Sequence, residues 1–224
     1  IVVALRGSLS MQDWIDDLKA AVSTHLPHGL EHGCGSECKV AVGFLEATQS
    51  MCKGVEAAVV KVLSIHVDAR VVVTGHSLGA AMASLLLANG TVCSGLDGQD
   101  QITFGHLVDL PVYTFGQPRV GNNHYAEWMT RHLFPSGEWY RVVHHDDPVP
   151  HLPTPLMGYQ HQSGEVWYSE SGIGRGQYMV CDGSGEDQQC SSGTMLSAEI
   201  TDHLTYLTHP IHDCVNPDFP PLGD

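Results

Sequence analysis

Apolar positions along this chain follow two periods, one helical and one extended. Met11, Trp14, Ile15 and Leu18 stand at i, i+3, i+4 and i+7, with Gln12, Asp13, Asp16 and Asp17 opposite, the spacing of an amphipathic helix. A second helix is expected from about Phe44 to His66, with Phe44, Met51, Val55, Val59 and Val62 along one stripe. Val71-Val72-Val73-Thr74 is a β-branched run suited to a buried parallel strand. Ala80 to Ala88 continues as a helix of small residues, and Pro111 to Phe115 and Trp139 to Val143 read as further strands entering turn-rich loops. Strand alternating with helix is the α/β pattern. With no internal repeat and no linker, residues 1–224 are expected to form a single domain.

Composition narrows the function classes. Hydrophobic residues are 42% and charged residues 16% of the 224, the balance of an ordinary globule. The net charge of -15 repels phosphate backbones, which argues against nucleic acid as a partner. The longest apolar run, Ala80 to Ala88, is far shorter than the roughly 18 residues of a membrane span. The chain opens inside an apolar run, Ile1-Val2-Val3-Ala4-Leu5, without Met. This predicts that an N-terminal part of the natural protein precedes Ile1. Seven cysteines, with Cys34/Cys38 and Cys181/Cys190 spaced as small clipped loops, point to an oxidising, extracellular setting. The sequon Asn89-Gly90-Thr91 agrees with secretion but recurs by chance. Cys52 and Cys93 are expected not to bridge, and Cys214 is the odd cysteine expected to pair with one upstream of Ile1.

Gly75-His76-Ser77-Leu78-Gly79 is a G-x-S-x-G motif with a strand before it and a helix after it. That context places the serine on a sharp strand-to-helix turn, its hydroxyl at a helix N-terminus where developing negative charge is favoured. Glycine is needed two residues either side, where a Cβ would collide with the neighbouring strand and helix. The pentapeptide alone also fits a plain turn; the flanking elements favour the nucleophile. A serine nucleophile needs a base, and the base an orienting carboxylate. Asp146 and Asp147 both follow a strand, and His203, His209 and His212 all lie downstream in hydrolase order.

The chain resembles the class 3 (fungal-type) triacylglycerol lipases, a branch of the α/β-hydrolases that includes feruloyl esterases. The resemblance rests on Leu5-Arg6-Gly7-Ser8, Val73 to Ala80, Tyr113 to Asn122, Tyr140 to Pro150, Tyr159-Gln160-His161 with Glu165-Val166-Trp167-Tyr168, and Asp202-His203. It implies an α/β-hydrolase with a mostly parallel central sheet and helices on both faces, and no cofactor. It selects Asp147, just before the x-Val-Pro step, as the acid and His203 as the base. His76, His144, His145 and His161 are then structural or support the catalytic residues from behind, with His161 and Glu165 matching a family pair that braces the late loops. The same resemblance implies an oxyanion hole from the backbone of Leu78 and from Ser8, whose hydroxyl would offer a further donor. It also makes Met11, Trp14, Ile15 and Leu18 a short lid that rolls back at a lipid surface; a permanently packed surface helix fits their spacing equally well. One departure is Ala41, where many relatives carry His, leaving the packing before Gly43-Phe44 open.

These features define the expected function as hydrolysis of carboxylic esters through an acyl-enzyme on Ser77, most of all of triacylglycerols. Feruloyl esterase and phospholipase A1 remain alternatives within the family, and a lipase-like binding protein without turnover is the alternative of another class. The expected partner is a lipid or other ester substrate, with transient contact at a lipid interface and no obligate protein partner. His25, His28, His32, Cys34 and Cys38 are dense enough to raise zinc, but their spacing matches no usual ligand pattern. No metal is expected.

Overall fold

The computed structural model describes residues 1–8, 24–25, 34–88, 108, 111–132, 138–170, 177–194, 200–207 and 209–211. Met11, Trp14, Ile15, Leu18, Asn89, Cys93 and Cys214 lie outside the described residues. The strands are β1 (Val2–Leu5), β2 (Thr24–His25), β3 (Val40–Ala41), β4 (Val72–His76), β5 (Val112–Phe115), β6 (Gly121–Asn122), β7 (Trp139–His144), β8 (Tyr159–Gln160), β9 (Glu165–Tyr168), β10 (Tyr178–Val180), β11 (Thr205–Tyr206) and β12 (His209–Pro210). The helices are α1 (Val42–Ile65), α2 (Leu78–Ala88) and α3 (Asn123–His132).

Six strands form the central sheet in the order β1-β4-β5-β7-β9-β10. The first five are parallel and β10 closes the edge antiparallel to β9. This is the mostly parallel sheet of an α/β-hydrolase. Strand residues two apart share a face, and Val3, Val73, Val112 and Trp139 are all buried on the same one. Leu5, Gly75, Thr114, Arg141 and Glu165 form the next row across five strands. A buried Arg and Glu therefore stand side by side in the sheet. α2 packs on β4 and β1, and α1 on α2. β2, β3, β6 and β8 form a separate four-stranded antiparallel sheet.

The small residues of α2 explain its depth: every residue from Gly79 to Ala88 is buried. A Cβ on Gly79 would lie 2.0 Å from the carbonyl oxygen of Leu5, and one on Gly75 would lie 2.4 Å from that of Gly79. Strand, turn and helix can approach this closely only with glycine at both positions.

The expected stripe on α1 needs correction. Its buried residues are Phe44, Leu45, Thr48, Cys52 and Val59, while Val62 is exposed. Thr48 can be buried because its hydroxyl donates to the carbonyl of Phe44 at 2.8 Å, which satisfies the polar group inside the helix. Counting only apolar residues missed it. The helix also starts two residues early, directly after Ala41, which is buried and extended. The Ala41 N–H donates to the carbonyl of Val120 at 3.0 Å.

Cys34 is bonded to Cys38 and Cys181 to Cys190, while Cys52 is a buried free thiol. With Cys34 and Cys38 joined, neither offers the thiolate that zinc requires.

Candidate active site

β4 ends in His76, α2 begins at Leu78, and Ser77 alone makes the turn between them. Its φ of 58° lies in the left-handed region, which costs a residue with a side chain roughly 1–3 kcal/mol. The turn is pinned by the Ser77 N–H donating to Phe115 at 2.9 Å, and by Ala80 and Ala81 N–H groups donating to the Ser77 carbonyl. Arg6-Gly7-Ser8 leaves β1 alongside: a Cβ on Gly7 would lie 3.2 Å from that of Ser77. Leu78, one of the two expected oxyanion residues, directly follows the serine at the start of α2, and Ser8, the other, follows Gly7 on the β1 loop.

The expected acid and base arrive from two later segments. His203 Nδ1 lies 2.9 Å and 2.8 Å from the two carboxylate oxygens of Asp147. Both side chains are fully buried. The ring nitrogen facing the carboxylate must carry the proton, which leaves Nε2 as the basic atom. Nε2 is buried and has no hydrogen-bond partner among the described residues. The hydrogen bond expected between Ser77 and His203 is thus not formed in this structure. Such contacts often tighten only with substrate bound. Asp146, the rejected candidate, lies on the turn and faces His145 at 3.7 Å.

Asp147 is embedded in donors. The Val149 N–H donates to Oδ1 at 2.8 Å, and the Tyr206 hydroxyl makes a short hydrogen bond to Oδ2. Burial alone would raise the carboxyl pKa, but the charge and hydrogen bond of His203 and the donors of Tyr206 and Val149 hold it below the ordinary carboxylate value. Tyr206 is shifted the other way, well above the usual phenol value, by burial and by the neighbouring carboxylate. It therefore stays protonated and keeps donating.

Tyr206 is a site residue that the sequence did not point to, because it contacts Asp147 across 59 positions. Gly116 is another. It has φ +55°, and a Cβ there would lie 2.8 Å from both Asp147 Oδ2 and the His203 ring. His76, expected to be structural or to support the catalytic residues, packs on the expected base: its ring centroid is 4.4 Å from that of His203, and its Nε2 lies 2.8 Å from the His203 carbonyl oxygen. Burial and the nearby His203 lower its pKa to about 4, so at neutral pH it is an uncharged donor.

Behind the acid, the expected bracing by His161 and Glu165 takes a definite form. His161 Nε2 lies 2.8 Å from the carbonyl of Pro150, on the Asp147 loop. Burial, then the charges of Arg141 and Arg119, hold His161 well below its usual value and neutral. Glu165 bonds Arg141 at 3.2 Å and accepts from the Ser191 hydroxyl at 2.6 Å. Arg119 reaches Glu186 through two hydrogen bonds of 2.7 and 2.6 Å. Glu165 also lies near Cys181 and Cys190, but those sulfurs are joined to each other and the carboxylate is committed to Arg141 and Ser191.

A left-handed serine at a strand-to-helix turn, beside a buried Asp–His pair under a mostly parallel sheet, defines a protein of α/β-hydrolase class. Residues 2–157 match the family model of the class 3 lipases. The chain belongs to the class 3 lipase family. It is 36% identical over 211 residues to secreted mono- and diacylglycerol lipase 1 of Fusarium solani, covering 92% of this chain and 56% of that one. It is 32% identical over 207 residues to a lipase of Rhizomucor miehei, covering 92% and 52%. The chain thus spans about half the length of these relatives. Among solved structures, lipase II from Rhizopus niveus superposes with a TM-score of 0.71 at 27% identity, covering 93% of this chain and 72% of that one. A triacylglycerol lipase whose catalytic centre is a serine protease triad superposes with a TM-score of 0.69 at 29% identity, covering 92% and 71%.

Proposed function

We propose that this chain is a secreted serine hydrolase of carboxylic esters, acting on acylglycerols as a triacylglycerol lipase. The reading is carried by one observation: His203 is oriented by Asp147 so that its free Nε2 is the basic nitrogen, in a site that also holds a serine on a nucleophile turn. Ser77 Oγ attacks the ester carbonyl and its proton passes to Nε2. The oxyanion is received by the N–H groups of Leu78 and Ser8, each such donor contributing roughly 3–4 kcal/mol. The C–O bond to the alcohol then breaks as His203 returns the proton to the leaving oxygen, and water repeats the cycle on the acyl-enzyme. Asp147 stays ionised throughout.

Ser77 and His203 have no accessible surface, so substrate must meet an opening. Met11, Trp14, Ile15 and Leu18 are the proposed cover, giving way at a lipid surface. Residues 1–224 act as one domain in this reading. Secretion is supported by the name of the Fusarium relative and by the two disulfides. A fluorophosphonate probe should label the wild type and not Ser77→Ala or His203→Ala, and triglycerides should be cleaved faster than methyl ferulate. Equal labelling of Ser77→Ala would remove the nucleophile assignment, and an unlabelled wild type would favour a binding protein without turnover.

A further inference from the structure

Consecutive side chains of an extended strand point to opposite sides, so neighbours rarely reach one target. His144 and His145 do. His144 closes β7, and its Nδ1 lies 3.0 Å from the carbonyl oxygen of Asp202. The Nδ1 of His145 lies 2.9 Å from the Asp202 carboxylate. The cause is in the backbone: His145 has φ +41°, a left-handed conformation uncommon for a residue with a side chain. It is held there by its own N–H donating to Tyr168 at 2.7 Å and by Trp167 Nε1 donating to its carbonyl at 3.0 Å. Strain of this kind persists where the surroundings enforce it, and it clusters at working sites. Here it swings the ring back beside that of His144, and both converge on the residue directly before the base. His76 grips the base itself through the His203 carbonyl.

We infer that His145 is a positioning residue for the hydrolysis: its left-handed backbone aims the ring at Asp202, and that tether fixes the place of the adjacent His203 ring against Ser77. The inference rests on the reading of His203 as the base. Asp146 lies 3.7 Å from the same nitrogen, so the ring is flanked by two carboxylates. Only Asp202 is within hydrogen-bonding distance and adjoins the base, so it carries the tether.

Three substitutions separate backbone from side chain. His145→Asn keeps an amide donor near the position of Nδ1 and tolerates the left-handed region. His145→Gly relieves the backbone but offers no donor, and His145→Ala does neither. The asparagine variant should retain kcat, whereas the glycine and alanine variants should lose roughly tenfold to a hundredfold with KM little changed. Asp202→Ala should lose as much and add little to His145→Ala. Wild-type kcat in His145→Gly would overturn the inference. Amide exchange across residues 200–206 supplies a readout free of turnover: it should quicken in the glycine and alanine variants and not in the asparagine variant. Should the wild type lack His203-dependent hydrolysis, the hydrolase reading fails, and unchanged exchange in His145→Gly would sink the tether separately.

Discussion

The proposed nucleophile side and the proposed base side of this site are built by opposite means. Around Ser77 the geometry depends on atoms that are missing: glycines at 75 and 79 let strand, helix and the β1 loop approach within distances no Cβ would permit. Around His203 it depends on groups that are present: Tyr206, His76, His144 and the Val149 N–H each spend a donor on the acid or on the base loop. A site of the first kind fails when volume is added, and one of the second kind when a donor is removed.

The largest expected effect tests the first half. Gly79→Ala would force a Cβ against the Leu5 backbone, where no side chain can yield, and should cost more than about 4 kcal/mol, read as loss of soluble protein or of a cooperative melt. Glu165→Ala tests the scaffold of the second half by leaving Arg141 buried without its carboxylate. It should lower stability by about 3–4 kcal/mol in urea unfolding, and it should do so with Ser77 and His203 untouched.

The pH dependence sharpens the comparison further. His76 binds a proton less readily when folded, at about 4 against 6.5, so the unfolded chain takes up more protons between these values. Stability should therefore fall by roughly 3 kcal/mol as pH drops from about 6.5 to about 4. His76→Gln should flatten that slope in unfolding curves at several pH values. Asp147, also lowered by folding, stabilises above the ordinary carboxylate range and loses that contribution as pH falls through its folded value. The smallest effect is on turnover. Tyr206→Phe removes one donor from a carboxylate that keeps others, and should reduce kcat by roughly tenfold to a hundredfold, about 1.4–2.7 kcal/mol. An unchanged kcat in that variant would mean that the remaining donors hold the acid on their own.

The same division explains what could be read in advance. The nucleophile turn is local: five consecutive residues between a β-branched strand and an alanine-rich helix state its geometry, and β4, α2 and the sheet follow from them. Choosing Asp147 over Asp146, and His203 over His209 and His212, needed the family resemblance, because nothing local separates neighbouring carboxylates or downstream histidines. Gly116 and Tyr206 were illegible for a stronger reason. The first matters through a positive φ that clears space for groups far along the chain, and the second through a partner 59 positions away. Thr48 was lost from the α1 stripe because its polarity is cancelled only once the helix exists. The lid assignment falls on residues outside those described.

The complete burial of Ser77 and His203 bears on how inhibitors would behave. A reactive phosphonate, however small, has to wait for the molecule to admit it. Inactivation should then reach a ceiling as reagent concentration rises, the same ceiling for reagents of unequal intrinsic reactivity. That shared limit is the frequency with which the door opens.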